Sequence, residues 1–162
     1  MSAFSHLRVS SEYSITQGLL TINQIVDNAS KKSIPSVALT DKSNMFGLVK
    51  FFDKCELAGI KPISGCSLNV IFDGDADSHE LLCLAKTNNG HKNLMKIISS
   101  AHNNYSYSSP IIQFKDLTEL NDDIVVISGG KNSHIFEYLR RNNRSDAENK
   151  IDQFTKYFKD DF

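Results

Sequence analysis

Several short stretches of this chain carry side chains able to do chemistry. Residues 6–14 read His6-Leu7-Arg8-Val9-Ser10-Ser11-Glu12-Tyr13-Ser14, and residues 39–47 read Leu39-Thr40-Asp41-Lys42-Ser43-Asn44-Met45-Phe46-Gly47. A strand over Phe4 to Val9 would set His6, Arg8 and Ser10 on one face, because alternate residues of a strand point the same way. Asp41 falls at the end of a short apolar run, where a lone carboxylate would be partly desolvated. Uncompensated buried charge is costly, so a partner is expected for it. Ser11 and Ser14 have no evident Ser-His-Asp setting.

Other candidates are weaker. Asp73, Asp75 and Asp77 mimic the start of a calcium loop, but the sixth position is Ser78 rather than Gly and the twelfth is Leu84 rather than Glu. A solvated hairpin connection is the expectation there. Ser128-Gly129-Gly130 lacks the full glycine pattern of a phosphate loop and reads as a strand-to-helix turn. Tyr105 and Tyr107 could stack on bases, although loop tyrosines also serve interfaces. Arg140, Arg141, Arg144, Lys150, Lys156 and Lys159 alternate with acids, as on a solvated face.

The elements that must position these residues follow an alternation of short apolar strands and amphipathic helices, the mark of an α/β fold. Thr21 and Gln24 have capping-box spacing and open a helix with Ile22, Ile25, Val26 and Ala29 inward. Ser36 to Thr40 is a short buried strand. A second helix is expected to turn Met45, Leu48, Val49, Phe52 and Cys55 inward and to close at Gly59. Lys61–Phe72 and Leu81–Lys86 are strands around an Asp-Gly turn. A third helix buries Leu94, Ile97, Ile98 and Ala101. Residues 102–110 form a loop, and Ile124–Ile127 is a strand. Ser145 and Glu148 make a second capping box, opening a helix with Ala147, Ile151, Phe154 and Phe158 inward.

The 162 residues make one domain, long enough for a sizeable core. A net charge of −1 argues against a strongly basic nucleic-acid surface. Cys55, Cys66 and Cys83 show no Cys-x-x-Cys spacing and sit in apolar segments, as buried free thiols of a reducing cytosol do. No apolar run reaches membrane-span length, and the start lacks a signal-peptide layout.

The three segments 6–20, 35–70 and 88–101, with Ile124 to Gly130, resemble the polymerase-and-histidinol-phosphatase (PHP) domain. More narrowly, they resemble the PHP domain at the amino terminus of bacterial DNA polymerase III alpha subunits. The densest match runs from Val37 to Val70, through Asp41, Phe46-Gly47, Gly59-Ile60-Lys61-Pro62 and Gly65. The resemblance implies a partial, distorted (β/α)7 barrel with mainly parallel strands. It also implies that residues 1–162 are the first part of such a domain, cut from a larger polymerase.

Active members of the family hold metals with histidines and acids. By resemblance, the first motif, His-x-His, falls on Arg8 and Ser10. The second, Thr-Asp-His, falls on Thr40-Asp41-Lys42. A glutamate ligand falls on Ser67, and a later histidine falls at about Glu80, beside His79. A guanidinium offers no lone pair and a neutral serine hydroxyl binds weakly. Only Asp41 and Glu80 remain as ligand candidates, and two carboxylates do not build a multinuclear site. Arg8 and Lys42 are then expected to replace the metals electrostatically, with Arg8 the favoured partner of Asp41.

The resemblance further implies a parent that is a DNA-directed DNA polymerase, a nucleotidyltransferase of DNA replication, with magnesium held in a palm domain absent here. Relatives with degraded cups act as scaffolds that help hold a separate proofreading exonuclease subunit. The expectation for this chain is therefore no catalysis, no metal or other cofactor of its own, contact with DNA only through the parent, no membrane, and a cytoplasmic location. The rivals are a metal-dependent phosphoesterase or 3'-5' exonuclease, and a free-standing binding module. Elemental analysis after dialysis against zinc or manganese is expected to find little bound metal; about one ion per chain or more would contradict this reading.

Overall fold

A computed structural model describes residues 4–15, 17–103 and 110–162. Tyr105 and Tyr107 fall outside them. The chain divides into two compact units, Met1–Cys66 and Ser67–Phe162.

The first unit is built on two helices and a parallel strand pair. Helix α1, Ile22–Lys31, starts from the expected capping box: the Thr21 hydroxyl accepts from the Gln24 N–H while the Gln24 side chain accepts from the Thr21 N–H. Its buried face is Ile22, Ile25, Val26 and Ala29, as the periodicity predicts. Strand β1, Ser36–Leu39, pairs in parallel with the first residues of β2, Lys61–Ile71, in the register Ser36 to Lys61 and Leu39 to Ser64. Helix α2, Leu48–Leu57, buries Leu48, Phe51 and Cys55.

That face differs from the expected one. Phe51 is 0 % exposed, whereas Val49 is 76 % exposed and Phe52 is also turned outward. The i, i+3, i+7 spacing of Leu48, Phe51 and Cys55 is what meets the core; Met45 packs from the turn before the helix, so including it rotated the predicted face. Gly59 does end α2, at φ +67°, a conformation that costs glycine little.

The predicted first strand is also corrected. Residues 4–9 form no continuous strand; a single parallel bridge joins His6 to Val37. The segment still lies along β1, since the N–H of Ala38 donates to the His6 carbonyl and that of Thr40 to the Val9 carbonyl. Side-chain bonds from Thr40 and Asp41 stand in for the rest of the ladder.

The second unit holds the remainder of β2 with β3 (His79–Ala85), β4 (Ile112–Gln113) and β5 (Ile124–Ser128). Its helices are α3 (Asn88–Asn103), α4 (Phe114–Glu119), α5 (His134–Arg140) and α6 (Arg144–Phe158). Here β4 runs parallel to Val70–Ile71 of β2, but β3 and β5 are antiparallel, from Leu81–Ser128 to Ala85–Ile124. The architecture is mixed α/β with mixed strand directions, where mainly parallel pairing was expected. The antiparallel partners β3 and β5 are joined through α3, β4 and α4, a connection long enough to allow either direction.

Helix α3 buries Leu94, Ile97, Ile98 and Ala101 as expected. Helix α6 begins earlier than predicted: Asn143 caps it by accepting from the Asp146 N–H, and Glu148 is engaged instead by Arg144, with Nε 2.7 Å from Oε1. Ile151 of the predicted inner face is exposed, while Ala147, Phe154 and Phe158 are buried. Phe72, Phe114 and Phe154 pack edge to face or tilted, with centroids 4.4–5.6 Å apart. All three cysteines are buried free thiols; burial pushes the Cys83 thiol up to about 12 and Cys55 to about 11. Among the described residues no helix is long and apolar enough to cross a membrane.

The capping box gives a direct check. Thr21→Ala should lower stability by about 1 kcal/mol in chemical denaturation, because the Gln24 N–H in the first turn loses its hydroxyl acceptor.

Candidate functional site

Asp41 follows directly on β1 and is 2 % exposed. A carboxylate that buried must be met by donors. Three are present. The Ser11 N–H donates to Oδ1 at 2.6 Å, the Ser11 hydroxyl to Oδ2 at 2.7 Å, and the Ser14 hydroxyl to Oδ1 at 2.6 Å. Bonds to an ionised acceptor are short and strong, which suits these distances.

The neighbours of Asp41 extend the pattern. The Thr40 hydroxyl lies 3.0 Å from the Val9 N and 3.1 Å from its carbonyl oxygen. The N–H of Lys42 donates to the Ser14 hydroxyl oxygen at 3.0 Å. The Asn44 amide donates to the carbonyls of Tyr13 and Lys42, at 3.0 and 2.9 Å, and accepts from the Phe46 N–H. From behind, the Cys66 thiol donates to the Asp41 carbonyl at 3.2 Å. Segment 9–14 and segment 40–46 are thus joined side by side, about thirty residues apart in sequence, mostly through side chains.

Arg8, the favoured partner of Asp41 from the sequence, is not one of these donors. The partners of Asp41 are neutral: two hydroxyls and an amide. Arg8 is exposed, and Lys42, which is half-buried, enters this network through its backbone N–H. Ser10 is half-buried. Hydroxyl donors win over the guanidinium because Ser11 and Ser14 lie close in the chain and order few rotors, whereas a buried arginine pair must desolvate a second charge. The signal was present in the sequence, as serines at 11 and 14 and an Asn at 44, but nothing in residue spacing linked them to Asp41.

In the second unit, Ser67 on β2 and Glu80 on β3 are both buried. Glu80 Oε2 accepts from the Asn132 side-chain amide at 3.1 Å. Asp73 and Asp77 are exposed in the 73–78 connection, but Asp75 is not simply solvated: its Oδ2 lies 3.4 Å from His134 Nε2.

His134 belongs to a titratable cluster that the sequence did not reveal. Its ring stacks on His79, with centroids 4.0 Å apart and planes 9° from parallel, and on Tyr138 at 4.8 Å. His79 Nδ1 lies 3.7 Å from Glu137 Oε2. Lys150 Nζ sits 4.0 Å from the centroid of the Phe72 ring, and burial lowers its pKa. Burial, with His79 and Lys150 nearby, holds the His134 imidazole down at about 4 against the opposing pull of Asp75 and Glu137. These residues are 55 positions apart in the chain or flank a short helix, so no local pattern announces them.

A family model for the PHP domain matches residues 6–162. The chain belongs to the PHP domain family. Its relatives include the DNA polymerase III subunit alpha of Escherichia coli K12, 38 % identical over 160 residues, covering 97 % of this chain and 14 % of the relative. The same subunit from Vibrio cholerae is 34 % identical, covering 98 % of this chain and 14 % of the relative. That from Borreliella burgdorferi is 35 % identical, covering 99 % and 15 %. The matching part is the N-terminal region of those polymerases. The chain therefore spans about one seventh of the length of the curated relatives it matches.

Solved structures with a partial likeness include a metal-dependent phosphoesterase from Bifidobacterium adolescentis, with a TM-score of 0.47 and 19 % identity over 61 % of this chain and 32 % of that one. An amidohydrolase from Chromobacterium violaceum has a TM-score of 0.49 and 20 % identity, covering 61 % and 33 %.

The metals of active PHP domains can be tested against these residues. Around Asp41 they do not fit. Both carboxylate oxygens receive hydrogens from donors, and a cation placed there would face the positive ends of the same N–H and O–H bonds. Among the described residues no group of three or more His, Cys, Asp or Glu side chains could hold a metal ion.

His134 yields a pH prediction. Its folded pKa, about 4, is below the ordinary 6.5. The unfolded state binds the proton first, so the contribution of neutral His134 is present above about pH 6.5 and is lost as pH falls toward 4. His134→Phe should make the fall of the melting midpoint between pH 6.5 and 4.5 shallower than in wild type; an equal slope would show that His134 is not responsible.

Proposed function

We propose that this chain is the PHP domain of a replicative DNA polymerase III alpha subunit and that its own role is structural. The observation that carries the reading is 38 % identity over 97 % of the chain to the alpha subunit of Escherichia coli. In the parent protein, the activity would be DNA-directed DNA synthesis, with magnesium in the palm and DNA bound outside this region. The domain would complete its (β/α)7 barrel with further chain of the parent, and the location would be cytoplasmic.

The non-catalytic part of the reading rests on side-chain chemistry. Arg8, Ser10, Lys42 and Ser67 stand at positions where active relatives hold metal ligands. Activating water at neutral pH requires a metal-bound site of several ligands. Asp41 and Glu80, the acids left at cup positions, are engaged as hydrogen-bond acceptors. A domain that keeps the fold without the metals suits a scaffold, and we assign it the docking region for the proofreading exonuclease subunit. The rest of the alpha subunit would be its other partner.

Hydrolysis of a chromogenic phosphate ester in the presence of manganese or zinc should stay at background. Turnover that a chelator abolishes would overturn the structural reading in favour of a metal-dependent phosphoesterase or 3'-5' exonuclease. Primer extension by the full-length protein should proceed, and should be lost when the palm aspartates, not residues of this chain, are replaced.

A further inference from the structure

We infer that Asp41 is an anchor and not a residual metal ligand: it fastens the Ser10–Leu20 segment to the end of β1, and the motif Thr40-Asp41-Lys42-Ser43-Asn44 acts as a zip. The inference rests on the hydrogen bonds of this chain and stands whether or not the parent polymerises.

Four residues of the motif grip the facing segment, Lys42 through its backbone N–H to the Ser14 hydroxyl and the others through side chains. Thr40 holds Val9, Asp41 holds Ser11 and Ser14, and Asn44 holds Tyr13. The segment they hold is otherwise thin in regular structure. Between Val9 and α1 the described residues contain only turns and one bridge, Ser11 to Leu20. Its backbone folds back on itself: the N–H groups of Ser14 and Gly18 donate to the carbonyls of Ser11 and Ser14, and Glu12 N–H donates to the Leu20 carbonyl. A Cβ at Gly18 would lie 1.7 Å from the Ser11 carbonyl oxygen, so only glycine lets the return strand pass so close.

Asp41 is therefore bonded to the inner end of this loop, and Tyr13, at its middle, packs against the core of Ile22, Leu48 and Phe51. The carboxylate is the one acceptor able to take three short bonds from a hydroxyl pair and an amide at once. An asparagine there would offer one acceptor oxygen and turn its NH2 group toward donors. A metal ion would have to bind oxygens that already take three hydrogen bonds, facing the positive ends of those donors. The acid is thus explained by what it holds in this chain, with no metal involved.

The test combines substitution, melting and proteolysis. Asp41→Asn should lower the melting midpoint by about 5 °C or more, since bonds to a charged acceptor are lost and donors are left buried. Ser14→Ala, a milder change, should lower it by less and speed chymotryptic cleavage after Tyr13. It carries the test if the Asp41 variant does not fold. Millimolar manganese or zinc should leave the wild-type midpoint unchanged. The anchor assignment is overturned if Ser14→Ala changes neither midpoint nor cleavage. It is equally overturned if metal raises the wild-type midpoint and Asp41→Asn abolishes that rise. Neither readout depends on phosphoesterase or polymerase activity, so its failure is separable from failure of the proposed function.

Discussion

A carboxylate buried at the end of a strand cannot be left alone. Its desolvation cost must be offset by donors within hydrogen-bond reach. At Asp41 those donors come from a segment some thirty residues earlier, and meeting that requirement fixes the path of residues 9–14. Thr40 and Asn44 continue the same edge, and Tyr13, carried along, closes over the core between α1 and α2. The local order of the first unit follows from one charge that has to be satisfied by hydroxyls and an amide.

On the proposed reading, this is how a PHP domain without its ligand histidines would keep its shape. Where the metals of active relatives would contribute binding energy to folding, a hydrogen-bonded network can take over the structural share. Ser11, Ser14, Thr40, Asp41 and Asn44 keep the strand end and loop in register. The second unit carries its own unusual chemistry in the stacked His79 and His134 rings. Burial there holds the His134 imidazole well below its ordinary pKa.

Much of the fold was legible because local rules and tertiary packing agreed. Thr21 and Gln24 announce α1, and the buried faces of α1 and α3 follow from periodicity alone. The misread places are those where tertiary context chose between near-equal local options. In α2 the core selected Phe51 over Val49 and Phe52, all apolar. At α6 Asn143 outcompeted Ser145 as cap because Glu148 was drawn into the pair with Arg144. The first strand failed because side-chain bonds from Thr40 and Asp41 took the place of ladder bonds. The candidate site was half legible: Asp41 stood out as a buried acid, but its serine partners did not, since a serine in a polar segment carries no signal of its own. The antiparallel β3–β5 pair was not legible, since the helix-bearing connection between those strands permits either direction.

The most direct measurement is a double-mutant cycle on Asp41→Asn and Ser14→Ala in chemical denaturation. If the carboxylate and the hydroxyl hold the loop together, the two losses are strongly non-additive, with a coupling of about 1 kcal/mol or more. Losses that add to within about 0.3 kcal/mol would mean that Ser14 and Asp41 act independently, and the anchor at the centre of this account would not exist.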